Sequence, residues 1–286
     1  MRWTPGGRSE DLEDQRGMGG GFGGGGLRIG AGGAILLLVL SLATGQNFFA
    51  LLGNVIDIGG SQNGGQASAP SQQDEPLVQF VSFVLDDVQN TWAKVFPSAT
   101  GHDYEHCKLV LFTDRVQSGC GYAEAAMGPF YCPMDRKAYI DLGFYQELRS
   151  RFGAPGDFAQ AYVLAHEIGH HVQNLIGISE RVSAAQRSHP DEANRLSVLL
   201  ELQADCFAGV WAHSTEQRDI LEKGDVEEGI QAAAAVGDDR IQKQAGARVN
   251  PETWTHGSSQ QRVQWFQRGM QGGRIGDCDT FAAGDR

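Results

Sequence analysis

Ala161-Tyr162-Val163-Leu164-Ala165-His166-Glu167-Ile168-Gly169-His170-His171 is the stretch on which the fold turns. It contains H-E-x-x-H, carried by His166, Glu167 and His170. On a helix, positions i and i+4 share a face, so both imidazoles can reach one metal ion, for which Zn²⁺ is the usual occupant. Glu167 falls beside that face, placed to take a proton from a metal-activated water rather than to bind the metal. Pro155-Gly156-Asp157 reads as the helix start, with Asp157 and Gln160 at capping-box spacing, and Gly177 reads as its stop. Phe158, Tyr162, Val163, Leu164, Ile168, Val172 and Leu175 make the helix apolar on most sides, so it should be buried. Two histidines and a glutamate inside a buried helix are costly unless something satisfies them.

A second stretch supplies the partner. Leu199-Leu200-Glu201-Leu202-Gln203-Ala204-Asp205-Cys206-Phe207 is again apolar and helical in pattern. A catalytic zinc takes three protein ligands and keeps one open position. Glu201 is the natural third ligand. Asp205, one turn later on the same face, can accept a hydrogen bond from the outward nitrogen of a ligand histidine and fix its tautomer. His171 points about 100° away from His170 and is not expected to bind the metal.

H-E-x-x-H followed by E-x-x-x-D resembles the gluzincin class of zinc metallopeptidases. A metzincin would need Gly at 173 and His at 176, where this chain has Gln173 and Ile176. As a whole the chain resembles the bacterial "putative neutral zinc metallopeptidase" family of membrane-anchored proteins. The resemblance covers a glycine-rich amino terminus before one hydrophobic segment, Gly128-Pro129-Phe130-Tyr131-Cys132-Pro133, both helices, and Thr255-His256-Gly257-Ser258-Ser259-Gln260-Gln261-Arg262. It implies a peptide or protein substrate and one Zn²⁺ per chain. In gluzincin-like folds a strand beside the zinc helix pairs with extended substrate; Gly128 to Pro133 and the 138–142 strand are the two candidates for that edge.

Taken in order, residues 1–28 are rich in glycine and balanced charge and read as a disordered cytoplasmic tail. Residues 29–52 carry no charge and suffice for a transmembrane anchor, with Arg28 on the amino-terminal side. A cleaved signal peptide is the competing reading. Residues 53–76, rich in Gly, Ser, Gln and Asn, form a flexible linker, and 77–286 the folded domain. The expected localisation is the bacterial cell membrane, single-pass, with the C-terminal domain outside the cytoplasm. A net charge of −12 argues against a nucleic-acid partner.

Within the domain, residues 77–96 predict a helix ended by Pro97, and 109–112, Tyr131 and 138–142 predict short strands. The expected fold class is α+β, mainly helical, zincin-like, with a small sheet. Cys120 is expected to pair with Cys132 and Cys206 with Cys278, leaving Cys107 as a buried free thiol. Asp238, Asp239 and Arg240 read as solvated surface charges. Ser258 and Gln261 have capping-box spacing for a last helix. His256, just before it, is the candidate donor to a developing oxyanion, and Arg262 would hold that loop or bind substrate. The rival to a peptidase is a non-catalytic, zinc-stabilised binding module of the cell envelope, whose site would close with a fourth protein ligand.

Overall fold

The structure is a computed structural model that describes residues 1–17 and 72–283. Helix α1 spans Glu75–Thr100, one turn past Pro97; the chain leaves it at Gly101, whose φ of 74° suits glycine and whose N–H bonds the Pro97 carbonyl at 2.9 Å. Ordered structure before α1 includes the turn Gln72–Asp74, inside the stretch expected to be linker. Strand β1 is Leu12–Asp14, β2 Lys108–Phe112, β3 Arg115–Ser118, β4 Gly121–Glu124, β5 Phe130–Cys132 and β6 Lys137–Asp141. Helices follow: α2 Gly143–Ser150, α3 Asp157–Leu175, α4 Ile178–Ser188, α5 Ala193–Gln217, α6 Asp225–Ala235, α7 Asp238–Gln244, α8 Ser259–Gly272 and the short α9 Thr280–Ala283. The result is a mainly helical α+β domain.

Four strands form one sheet in the order β1-β2-β6-β5, with β1, β2 and β6 parallel and β5 antiparallel to β6. β3 and β4 form a separate hairpin. The helix α3 lies at the centre, packed by α5, α6 and α1 and flanked by β5 and β6. Close approach between helices depends on missing side chains. A Cβ at Gly169 would stand 2.9 Å from the Ala204 carbonyl oxygen on α5. Gly209 of α5 and Gly269 of α8 each face the other helix's backbone without room for a Cβ. These contacts set α3, α5 and α8 side by side.

The start of α3 differs from its expected cap. Gly156 is the N-cap residue and no side chain of its own caps the helix; instead Glu228, from α6, accepts the Phe158 N–H at 3.1 Å. The cysteines pair as expected, Cys120 with Cys132 (Cα–Cα 5.8 Å) and Cys206 with Cys278 (5.5 Å), and Cys107 is buried and free.

The expected tail is corrected for residues 1–17, which fold onto the domain. β1 pairs residue for residue with Leu109 to Leu111, and the Trp3 ring packs edge-on against Phe80 with centroids 5.2 Å apart. The charges of the segment are matched: Arg16 with Asp14 at 2.8 Å, Lys108 with Asp11 at 2.7 Å and Lys137 with Glu13 at 2.8 Å. With charge satisfied by pairing, the few apolar side chains Met1, Trp3 and Leu12 suffice to hold an edge strand. The expected anchor over 29–52 lies outside the described residues, and among the described residues no helix is long and apolar enough to cross a membrane.

Trp3→Ala should lower the unfolding free energy of the full chain by about 2 kcal/mol, read from urea denaturation. An unchanged midpoint would mean that the amino-terminal segment is not docked.

Candidate active site

Helix α3 presents His166 and His170 on one face, and α5 brings Glu201 opposite them. The His166 and His170 Nε2 atoms are 3.1 Å apart. Glu201 Oε2 is 3.3 Å from His166 Nε2, and its Oε1 is 3.4 Å from His170 Nε2. Each Nδ1 faces an acceptor. His166 Nδ1 meets Asp205 Oδ1 at 2.9 Å, and His170 Nδ1 meets Gln173 Oε1 at 2.8 Å. The Gln173 amide is oriented by its own Nε2, which donates to the Leu200 carbonyl at 2.7 Å and to Gln203 Oε1 at 3.1 Å. Both rings therefore carry their proton on Nδ1 and turn bare Nε2 lone pairs toward each other and toward a carboxylate. Three electron-pair donors converging in this way fit a cation. Ligand atoms about 2.0–2.1 Å from a tetrahedral zinc stand roughly 3.3–3.4 Å apart, close to the separations here.

Asp205 is the buried anchor of this arrangement, with no exposed surface. Besides His166 it accepts from the Tyr162 hydroxyl and from Arg262, whose Nε is 2.7 Å from Oδ2 and Nη2 2.9 Å from Oδ1. Burial would raise the Asp205 pKa, but Arg262 and His166 hold it below the usual range. Arg262 also donates to the Val236 carbonyl at 3.2 Å and stands 3.7 Å from Glu201. It is 3 % exposed, so it holds the site together and is not free for substrate. Glu167 is buried, and burial raises its pKa. Among the described residues no protein group hydrogen-bonds its carboxylate, which suits a residue that must exchange a proton with water.

A sequence profile with the description "Putative neutral zinc metallopeptidase" matches residues 1–281. The chain belongs to that family. It is 45 % identical over 285 residues to "Uncharacterized protein YpfJ" of Escherichia coli strain K12, covering 98 % of this chain and 99 % of that one. It is 46 % identical over 211 residues to "Uncharacterized protein Rv2575" of Mycobacterium tuberculosis strain H37Rv, covering 70 % of this chain and 69 % of that one. No solved structure matches. Membership in a zinc metallopeptidase family implies zinc, and His166, His170 and Glu201 form a group able to hold it.

The other expected residues fall as follows. His171 faces away from the metal donors: its Nδ1 bonds the Tyr131 hydroxyl of β5 at 3.0 Å and its Nε2 the Glu105 carbonyl at 2.8 Å. β6 lies between β2 and β5, so the 138–142 strand has no open edge, and of the two candidates only the Gly128 to Pro133 segment, with β5, keeps one among the described residues. His256 lies beside α5, where burial lowers its pKa but Asp238, and then Glu201, raise it overall. Asp238 is not a solvated charge; it is 5 % exposed and bonded to the His256 segment. Sequence reading also missed Tyr162 and Gln173. Both lay within reach, since Tyr162 is one turn before His166 and Gln173 three residues after His170.

Gln173→Leu removes the acceptor behind His170 and should weaken zinc binding about 10- to 100-fold, measured by competition with a chelating dye. Asp205→Asn takes from buried Arg262 the carboxylate to which it is hydrogen-bonded. It should destabilise the fold by about 3–5 kcal/mol in denaturant titration. Wild-type stability in that variant would remove Asp205 from its central place.

Proposed function

We propose that this chain is a zinc-dependent peptidase that hydrolyses peptide bonds in peptide or protein substrates, with one zinc per chain held by His166, His170 and Glu201. One observation carries the reading. Three protein donors converge, and among the described residues no fourth joins them. Cys206, the nearest candidate for closing a structural site, is bonded to Cys278. A site with three protein ligands and an open position is the catalytic pattern.

Zinc bound there supplies Lewis acidity, acidifying a water and polarising a carbonyl. Glu167 takes the proton from the attacking water and passes it to the leaving amine; its burial keeps it basic enough to do so. Asp205 and Gln173 hold the two imidazoles in the ligating tautomer. His256 donates to the oxyanion as it develops. The open edge of β5, which packs on α3, takes extended substrate by strand addition.

The site of action is assigned to the outer side of a bacterial cell membrane. Two disulfides support an oxidising compartment. β1 and β2 share a sheet, and strands of one sheet share a compartment. A single crossing that left residues 1–17 in the cytoplasm would pull β1 from the sheet, so residues 1–17 are assigned to the same, outer side as the domain, and 29–52 is not assigned as a single crossing. Gly6 is exposed. In spheroplasts Gly6→Cys should react with a membrane-impermeant maleimide; reaction only after lysis would overturn this topology.

The peptidase is tested with the full chain and a labelled unfolded protein as substrate. Glu167→Gln should retain zinc while turnover falls about 10²- to 10⁴-fold. Equal zinc in both proteins with cleavage in neither would favour the binding module instead.

A further inference from the structure

The turn of α3 from His170 to Asn174 carries two interleaved pairs of side chains. His170 and Gln173, three residues apart, face the metal donors and α5. His171 and Asn174, also three apart and displaced by one residue, face β5. The second pair converges on one atom, the hydroxyl of Tyr131 at the middle of β5. That oxygen accepts from Asn174 Nδ2 at 3.1 Å and donates to His171 Nδ1, 3.0 Å away. The far side of the ring fixes the direction. His171 Nε2 is 2.8 Å from the Glu105 carbonyl, so the ring proton sits there and Nδ1 can only accept. The His171 ring is fully buried and lies edge-on to Tyr104 and Tyr131, with centroids 5.7 and 5.5 Å away.

β5 is held on its remaining sides as well. Phe130 stacks on Tyr139 of β6 with centroids 4.7 Å apart, and Cys132 is cross-linked to Cys120 in the turn between β3 and β4. β6 pairs along one edge, and among the described residues the other edge is open. His170 and His171 are neighbours inside one continuous helix, joined by a single peptide and turned about 100° apart. No hinge separates the metal side of that turn from the strand side. β5 cannot slide along α3 without breaking the Tyr131 bonds, and a slip of one residue in a strand turns every side chain to the opposite face.

We propose that His171 and Asn174 are positioning residues which, through the Tyr131 hydroxyl, set the open edge of β5 against the metal donors, so that an extended peptide added to that edge is held in one register. This rests on the strand addition included in the peptidase reading above and deepens it to the residues behind the strand. Neither residue touches peptide or metal; both act through Tyr131.

Tyr131→Phe removes the hydroxyl and keeps the ring. Binding is measured with fluorescein-labelled casein and the zinc-loaded full chain carrying Glu167→Gln, well below the melting temperature of each variant. We expect Tyr131→Phe to keep its zinc and to weaken casein binding about tenfold or more. His171→Phe should cost about the same, and the double variant no more than either alone. A merely structural tyrosine would lower the melting temperature and leave Kd where it was. An unchanged Kd in Tyr131→Phe, or full additivity of the two substitutions, overturns the proposal.

Hydrogen exchange supplies a readout that does not depend on turnover. Casein should slow exchange of the β5 amides in the Glu167→Gln protein, and Tyr131→Phe should speed the same amides about tenfold in the free protein. Protection by casein elsewhere but not on β5 sinks the proposal. Protection of β5, weakened by Tyr131→Phe, in a protein whose wild type cuts nothing would instead count against the peptidase reading and leave the positioning role standing.

Discussion

Everything at the centre of this molecule depends on satisfying the carboxylate of Asp205. It has no access to water, and its four donors come from two other helices: Tyr162 and His166 on α3, and Arg262 twice from α8. A buried carboxylate is tolerated only when its charge and its lone pairs are both met. Meeting them fixes the register of three helices to within hydrogen-bond distance. The glycines at 169, 209 and 269 let those helices come close enough for it. His166 and Glu201 are thus held by a scaffold whose own stability requires the same geometry.

The two histidines are not equivalent within that scaffold. His166 is backed by a charged acceptor and His170 by a neutral amide. A carboxylate behind a ligand imidazole makes its far nitrogen the stronger electron-pair donor. The Gln173 amide reaches the site through Gln203 and the Leu200 carbonyl, so α5 supports both histidines as well as supplying Glu201.

Much of this was legible in the sequence, because helical spacing is a local property. The i, i+4 pair at 166 and 170, the pair at 201 and 205, and the capping box at Ser258 and Gln261 follow from periodicity alone, and the last is present with both bonds. What escaped is decided by tertiary context. Leu12–Asp14 has too few apolar residues to read as a strand, and becomes one by pairing with residues nearly a hundred positions later. Asp238-Asp239-Arg240 reads as solvated surface charge, yet Asp238 is buried because three backbone N–H groups and a ring converge on it. Asp157 looked like half of a capping box; the helix start is served instead by Glu228 from another helix. In each case the residue type was compatible with both roles, and only the packed neighbour decided between them.

The bond from Gln203 to the Cys278 carbonyl, 2.9 Å long, bears on how the protein is made. Gln203 steadies Gln173, and Gln173 steadies His170. The Cys278 carbonyl is held where it is by the cross-link from Cys206, across 72 positions of chain. While the chain is still emerging from the ribosome, His166, His170 and Glu201 are all out before that support exists. The three side chains able to hold a metal are therefore made before the chain that buttresses them through Gln203 and Gln173.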